Sequence, residues 1–270
     1  MRRHAIRCIA ALAIALPLPA FADQPLWEAG IGVGALRMPH YRGSAESNSW
    51  LLPVPYVIYR GSILRADRDG ARAMLLAGER VDFDLSLSAS PPTKSRDDSA
   101  RQGMPDLAPS FEIGPKLNAK LGRGDGWKLD LRVPLRAVVT LESRPRTIGW
   151  SLAPVINLDI DTQGWNVGLQ AGPLWGDRRL HGYYYDVASA YATAVRPAYS
   201  APAGYAGWQA TAGVSRRFGR AWFGAFVRAD SVAGAAFEPS PLVTSRQQLA
   251  VGVAMSWVFA VSDERVADDR

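Results

Sequence analysis

Between Val81 and Ser90 the chain alternates without interruption. Val81, Phe83, Leu85, Leu87 and Ala89 take turns with Asp82, Asp84, Ser86, Ser88 and Ser90. A period of two places the two sets on opposite faces of a β-strand. The pattern returns where Phe111, Ile113, Pro115, Leu117, Ala119 and Leu121 oppose Glu112, Gly114, Lys116, Asn118 and Lys120. It returns again where Trp127, Leu129, Leu131, Val133 and Leu135 oppose Lys128, Asp130, Arg132, Pro134 and Arg136. Followed in both directions, it predicts about twelve strands: 26–37, 49–60, 62–68, 71–77, 79–90, 109–121, 126–141, 147–161, 164–176, 204–218, 221–231 and 246–260. Most reach the roughly 9–11 residues that a tilted strand needs to cross bilayer hydrocarbon. The third and fourth are short, so a count of ten stays open; either number is even, as bacterial outer-membrane barrels require. The expected fold is therefore all-β, a closed antiparallel transmembrane β-barrel. Closure follows from physics, because lipid offers no partner to the backbone groups of an open edge.

Connection lengths give the barrel an orientation. Tight links fall at Arg60-Gly61, Gly78, 122–125, Thr162-Gln163 and Gly219-Arg220, whereas 38–48, 91–108, 177–203 and 232–245 are long. Short periplasmic turns and long outer loops are the barrel arrangement, and an even strand count leaves both termini on the short-turn rim. Tryptophan follows the same division. Trp27, Trp127, Trp165, Trp222 and Trp257 fall near the short-turn ends, and Trp50, Trp150, Trp175 and Trp208 near the others. Amphipathic rings favour the headgroup level, so all nine are expected to form two aromatic girdles. Pro53 and Pro55 fit poorly, since each removes a ladder donor from what should be a central strand. They suggest irregular pairing there.

The ends of the chain modify the picture. Residues 1–22 have the form of a secretory signal, with Arg2, Arg3 and Arg7, an apolar stretch at 9–18, and a small-x-small site at Ala20-Phe21-Ala22. That stretch is too short to span a bilayer as a helix. The expected division is a signal peptide at 1–22, a barrel at 23–260 and a charged periplasmic tail at 261–270. The only cysteine, Cys8, lies in the leader, so the mature chain has neither disulfide nor thiolate ligand. Three arginines and no acid leave with the leader, which reduces the formal charge from +6 to +3. Basic and acidic residues are interspersed rather than clustered, which excludes nucleic acid as a partner.

Candidate chemistry is sparse. His40 and His181, both in predicted outer loops, are the histidines left after the leader. Ser44 and Asp106 would complete a hydrolytic triad with His40 on paper, but such a triad needs a geometry that spacing does not supply. Two histidines without cysteine make a poor zinc site, and no phosphate-cradling glycine loop is present. The expectation is no catalytic, metal or cofactor site. Asp82, Asp84, Glu112, Lys116, Lys120, Lys128, Asp130, Arg132 and Arg136 should all point into the lumen. They would line a selective pore or, as the mixed signs on adjacent strands favour, fill the lumen with opposed charges. Arg42, Arg96 and Arg101 in outer loops are available to anionic lipopolysaccharide or simply to solvent.

Several short stretches together resemble the MipA/OmpV family of outer-membrane proteins. They are Gly30-x-Gly32, Pro39-x-Tyr41-x-Gly43-Ser44, and the run from Pro53 through Pro55 and Tyr59 to Arg60. Gly103-Met-Pro-Asp-Leu107 and Tyr184-Tyr-Asp-Val187 follow, and their order spans the mature chain. The closing strand, with Leu249, Val251, Val253, Met255, Trp257 and Phe259 on one face, resembles the signal read by the barrel-assembly machinery, although a charged tail follows the aromatic. The resemblance implies a non-enzymatic barrel in contact with outer-membrane lipids. It also implies a scaffold joining a lytic transglycosylase to a penicillin-binding protein. A passive channel for small solutes is the alternative, and a barrel hydrolase a third reading.

Overall fold

The computed structural model describes residues 24–67 and 70–266. The expected leader and the last four residues lie outside them. The chain runs β1 (Gln24–Pro25), β2 (Trp27–Pro39), β3 (Ser47–Arg60), β4 (Leu64–Asp67), β5 (Gly70–Ala77), β6 (Val81–Ser90), β7 (Ser110–Gly124) and β8 (Trp127–Thr140). It continues through β9 (Thr147–Leu152), β10 (Val155–Thr162), β11 (Trp165–Gly176), helix α1 (Arg178–Tyr185), β12 (Gly204–Phe218), β13 (Ala221–Ser231), β14 (Gln247–Val261) and β15 (Arg265–Val266). No helix among the described residues is long and apolar enough to cross a membrane.

Strands β2 to β14 form one antiparallel sheet in which each pairs with its sequence neighbour, except that β9 and β10 each pair with β8 and β11 and not with one another, and β14 returns to pair with β2. The sheet is thus a closed barrel. Its strand count is twelve, because β9 and β10 are two halves of one wall element that both lie between β8 and β11. Two prolines explain the interruption, neither with an N–H for the ladder: Pro134 on β8 lies level with Ala153, whose N–H its carbonyl accepts (3.3 Å), and Pro154 lies level with Val133, where the pairing passes from Leu135↔Leu152 to Arg132↔Val155. The turns on the short rim are tight. At Gln163 and Gly164, φ is 49° and 80°, the primed hairpin geometry that matches strand twist.

Closure depends on Gly32. It sits on the β2–β14 seam opposite Ser256, and a Cβ there would come within 2.0 Å of the Met255 carbonyl oxygen. The neighbouring backbone occupies the space a side chain would need. On the short-turn rim, β1 and β15 pair as Gln24↔Val266 and Pro25↔Arg265, so part of the charged tail is folded back against the start of the described chain.

The barrel surface is inverted relative to a water-soluble protein. Ile31, Val33, Leu51, Val57, Leu169, Val253 and Phe259 are exposed on the outer face, while the polar set faces in. The buried apolar cluster lies elsewhere, in the long loops: Tyr41, Leu107, Tyr185, Val187, Ala201, Val232, Phe237 and Leu242 pack together there.

The two prolines of β3 find their explanation in the ladder. Arg60 N donates to Leu26 O (2.8 Å) and His40 N to Glu46 O (3.0 Å) at the two ends of an unbroken β2–β3 register. Even-numbered β3 residues therefore direct their backbone polar groups at β2 and odd-numbered ones away from it. Pro53 and Pro55 are odd, so neither withholds a bond from β2. On the other side, β4 pairs with β3 only at Tyr59 and Arg60. Prolines are tolerated on such an edge.

Candidate functional site

Two polar assemblies occupy the molecule, one on the lumen wall and one at the long-loop mouth. The wall formed by β6, β7, β8 and β10 carries the nine charges that the alternation assigns to the lumen. Lys116 lies 3.4 Å from Asp84 and Lys120 lies 3.1 Å from Asp82. Arg136 lies 3.8 Å from Glu112 and donates through Nε to Ser86 Oγ at 3.0 Å. Arg132 bridges Asp130 (3.6 Å) and Asp159 (3.3 Å), and Lys128 also approaches Asp159 (3.7 Å). Asp159 is absent from the sequence-derived set. It belongs there because Asn157, Asp159 and Asp161 alternate with apolar residues on β10, and Asp159 is the direct cross-strand partner of Lys128. The register stacks opposite charges at neighbouring heights, so each of the nine has a partner of opposite sign.

The opposite wall differs in kind. Gly34, Leu52, Val54, Trp222, Gly224, Phe226 and Gly252 border a lumen cavity of about 540 Å³, across which stand Arg132, Asn157 and Asp159. Trp222 corrects one sequence-derived assignment. It pairs with Ser256 on the lumen face, and its ring tilts against Tyr56 at 5.8 Å, so it is no part of an outer girdle. Trp50 is also on the lumen face, level with Leu36. The remaining seven, Trp27, Trp127, Trp150, Trp165, Trp175, Trp208 and Trp257, are exposed on the outer surface near strand ends. Near a strand end, one residue of register decides which face a ring takes, and alternation is weakest there.

The long loops form a cap. Helix α1 starts where the Asp177 carboxylate accepts from Leu180 N (2.8 Å), an N-cap that satisfies an otherwise unpaired donor. It delivers Tyr185 to Phe237, stacked at 3.6 Å and 7°, and His181 to the same ring edge-on at 4.8 Å. Tyr185 donates to Arg42 O (2.7 Å) and Tyr41 to Leu242 O (2.7 Å), tying the long loops 38–48, 177–203 and 232–245 together. Arg101 is buried and donates to Tyr184 O (2.9 Å) and Pro105 O (3.2 Å), while Arg42 pairs with Asp230. Neither is offered to an external lipid; Arg96 is exposed beside Asp97. Burial holds the Tyr41 and Tyr185 hydroxyls far above the usual phenol range and pushes Tyr184 up to about 12, so the cap's phenols are neutral donors. Below the cap is a second cavity of about 530 Å³, reached by His40, Tyr185, Arg136 and Arg228.

The histidines serve this packing. His181 is buried with Nδ1 2.6 Å from Pro202 O, and its burial lowers its pKa, which keeps it uncharged. His40 Nδ1 lies 2.9 Å from Asp98 Oδ2, and Ser44 Oγ donates to the same oxygen at 2.7 Å. Asp106 is not in this group: its carboxylate accepts from Ser95 N (2.7 Å). The order Ser44–Asp98–His40 places the carboxylate between hydroxyl and imidazole, so His40 does not receive the serine proton as a general base would. Ligand atoms of His40, Glu46 and Asp98 lie within 4.8 Å of one another. The Asp98 oxygen is already engaged by two partners, and Glu46 Oε1 accepts from Ser99 N (2.9 Å) and Ser99 Oγ. The cluster is a hydrogen-bond junction that joins the long loops 38–48 and 91–108.

A closed twelve-stranded barrel with an apolar outer belt, an ion-paired lumen wall and a packed loop cap defines an integral protein of the outer membrane. The comparisons make the class specific. Residues 31–259 match the family model described as MltA-interacting protein MipA, and the chain belongs to that family. Among solved structures it is similar to the COG4313 outer membrane channel from Pseudomonas putida F1, at 12% identity and a TM-score of 0.45, with 90% of this chain and 100% of that chain covered. It is also similar to outer membrane phospholipase A from Escherichia coli, at 10% identity and a TM-score of 0.33, covering 85% and 92%. The outer membrane protease OmpT from Escherichia coli gives 6% identity and a TM-score of 0.33, covering 89% and 98%. Comparison with curated proteins yields no match.

Proposed function

We propose that this protein is a non-enzymatic scaffold whose periplasmic face holds peptidoglycan-remodelling enzymes, a lytic transglycosylase and a penicillin-binding protein, at the outer membrane. The observation that carries the reading is the asymmetry of the two rims. The long-loop mouth is occupied by a packed cap with its own apolar core. The short-turn rim, periplasmic by the barrel rule, presents exposed Arg80, Arg123 and Arg220 beside the β1–β15 pair. Family membership, with a name that specifies interaction with MltA, supports the partner class. The ion-paired wall weighs against a general diffusion pore, because side chains bonded to one another do not leave a wide wet lumen.

The test is a cross-linked pull-down of tagged protein from native envelopes, paired with a variant carrying Arg80→Glu, Arg123→Glu and Arg220→Glu. Recovery of a transglycosylase or penicillin-binding protein that falls with the variant supports the scaffold. Equal recovery of abundant outer-membrane proteins alone from both, with stable multi-conductance steps in planar bilayers, would favour the passive channel.

A further inference from the structure

Above Tyr59 and Arg60, no described residue pairs with the β4 side of β3. Across from it, β5 accompanies β6 only as far as Ser86, although β6 continues to Ser90. Among the described residues, the long-loop half of the barrel wall therefore lacks the width of two strands between β3 and β6. At about 4.8 Å per strand spacing, three spacings leave up to roughly 14 Å. Exposure agrees with an opening. Leu52 faces the lumen by its register with Gly34, yet it is 43% exposed. Ser88, on the lumen face opposite Glu112, is exposed as well.

Hydrocarbon alone does not fill such a gap. Backbone groups without partners are tolerated at membrane depth only where they line protein or water. Pro53 and Pro55 direct their missing N–H positions into this gap, which removes two of the donors that would otherwise face lipid. The same prolines deny an incoming β-strand its bonds, so added strand pairing is a poor occupant. Immediately inside lies the cavity of about 540 Å³, apolar at Leu52, Val54, Trp222 and Phe226, and polar at Arg132 and Asn157.

We propose that the β3–β6 gap is a lateral portal, through which a small amphipathic molecule dissolved in the outer leaflet enters the lumen and binds in this cavity. Its apolar part lies against Val54 and Phe226, and its polar group turns toward Arg132 and Asn157. The route bypasses the cap, so it operates while the long-loop mouth stays closed. It is independent of the scaffold reading, which concerns the other rim.

Two measurements test it in phosphatidylethanolamine–phosphatidylglycerol vesicles with the full mature chain. Spin labels are placed at Leu52→Cys and, as a lumen-facing control on a wall paired on both sides and outside the cavity, Asn118→Cys. The portal predicts that oxygen, which concentrates in hydrocarbon, reaches the label at 52 several-fold better than that at 118. Equal shielding at both sites, or access at 52 to a water-soluble nickel chelate alone, overturns the portal. The second measurement is fluorescence titration with 1-aminoanthracene, an apolar amine, against the native chain and Val54→Trp. Saturable binding that weakens at least tenfold in the variant is expected; no saturable binding, or identical binding in both, overturns the cavity. Should Val54→Trp fail to form a heat-modifiable barrel, Gly213→Leu fills the same cavity from β12, where its Cβ has 3.7 Å of clearance, and replaces it. Partner recovery in the pull-down stays unchanged in either cavity variant, which separates failure of this proposal from failure of the scaffold.

Discussion

Replacing Phe237 with alanine should release the cap while leaving the barrel closed. Phe237 is 1% exposed, stacks on Tyr185 at 3.6 Å and receives the edge of His181 at 4.8 Å. Truncating a buried phenylalanine to alanine costs about 3–5 kcal/mol, lost transfer energy and cavity together. The loss is local, because the ring's aromatic partners, Tyr185 and His181, both belong to the cap. At roughly 1.4 kcal/mol per decade, the open fraction of the cap rises by about two to three and a half orders of magnitude. Hydrogen exchange followed by mass spectrometry reads this directly: amides in 177–203 should lose protection by that factor, while those of β7 and β8 keep theirs. Heat-modifiable migration on gels should persist. Unchanged protection in 177–203, or equal loss in the strands, would refute the view of the cap as a separately packed unit.

The remaining predictions concern other parts of the molecule. Gly32→Val should abolish the folded, heat-modifiable form, since its Cβ meets the Met255 carbonyl at 2.0 Å, whereas Gly213→Ala, with its nearest neighbour at 3.7 Å, should fold. Burial lowers the His181 pKa in the folded cap, so the unfolded cap binds the extra proton. Cap stability should then fall as pH drops below about 6.5, the unperturbed histidine value, and level off below the folded pKa. His181→Gln should flatten that dependence, measured by exchange in 177–203 between pH 7.5 and 5. Asp159→Asn removes the acid shared by Arg132 and Lys128, which should cost roughly 1.5–3 kcal/mol in urea unfolding.

The strands were legible because the bilayer imposes a simple rule, apolar outward and polar inward, on every spanning residue. The nine lumen charges were expected from that rule alone, whereas the break at Pro154 divides into β9 and β10 what was expected as one strand over 147–161. What escaped was whatever depends on a distant partner. Asp98, and not Asp106, meets His40, because two loops 58 residues apart fold onto each other without a period to announce it. The cap core is spread across four loops for the same reason. Pro53 and Pro55 were readable as an irregularity, but their meaning required knowing that β4 stops at Asp67. Trp50 and Trp222 sit where one residue of register separates lumen from lipid, and ring chemistry alone does not choose between them.

The pairing of Gln24 and Pro25 with Arg265 and Val266, next to the β14–β2 seam, makes the described chain a ring in all but one covalent link. A ring has no privileged starting point. The same wall should therefore assemble from a circular permutant cut between Gly219 and Arg220 and joined by a short linker across the former ends. Such a permutant would place a different strand last in the order of synthesis. Its insertion efficiency would then report separately on two things the natural order combines: the stability of the finished cylinder, and the recognition of β14 as the strand that arrives last.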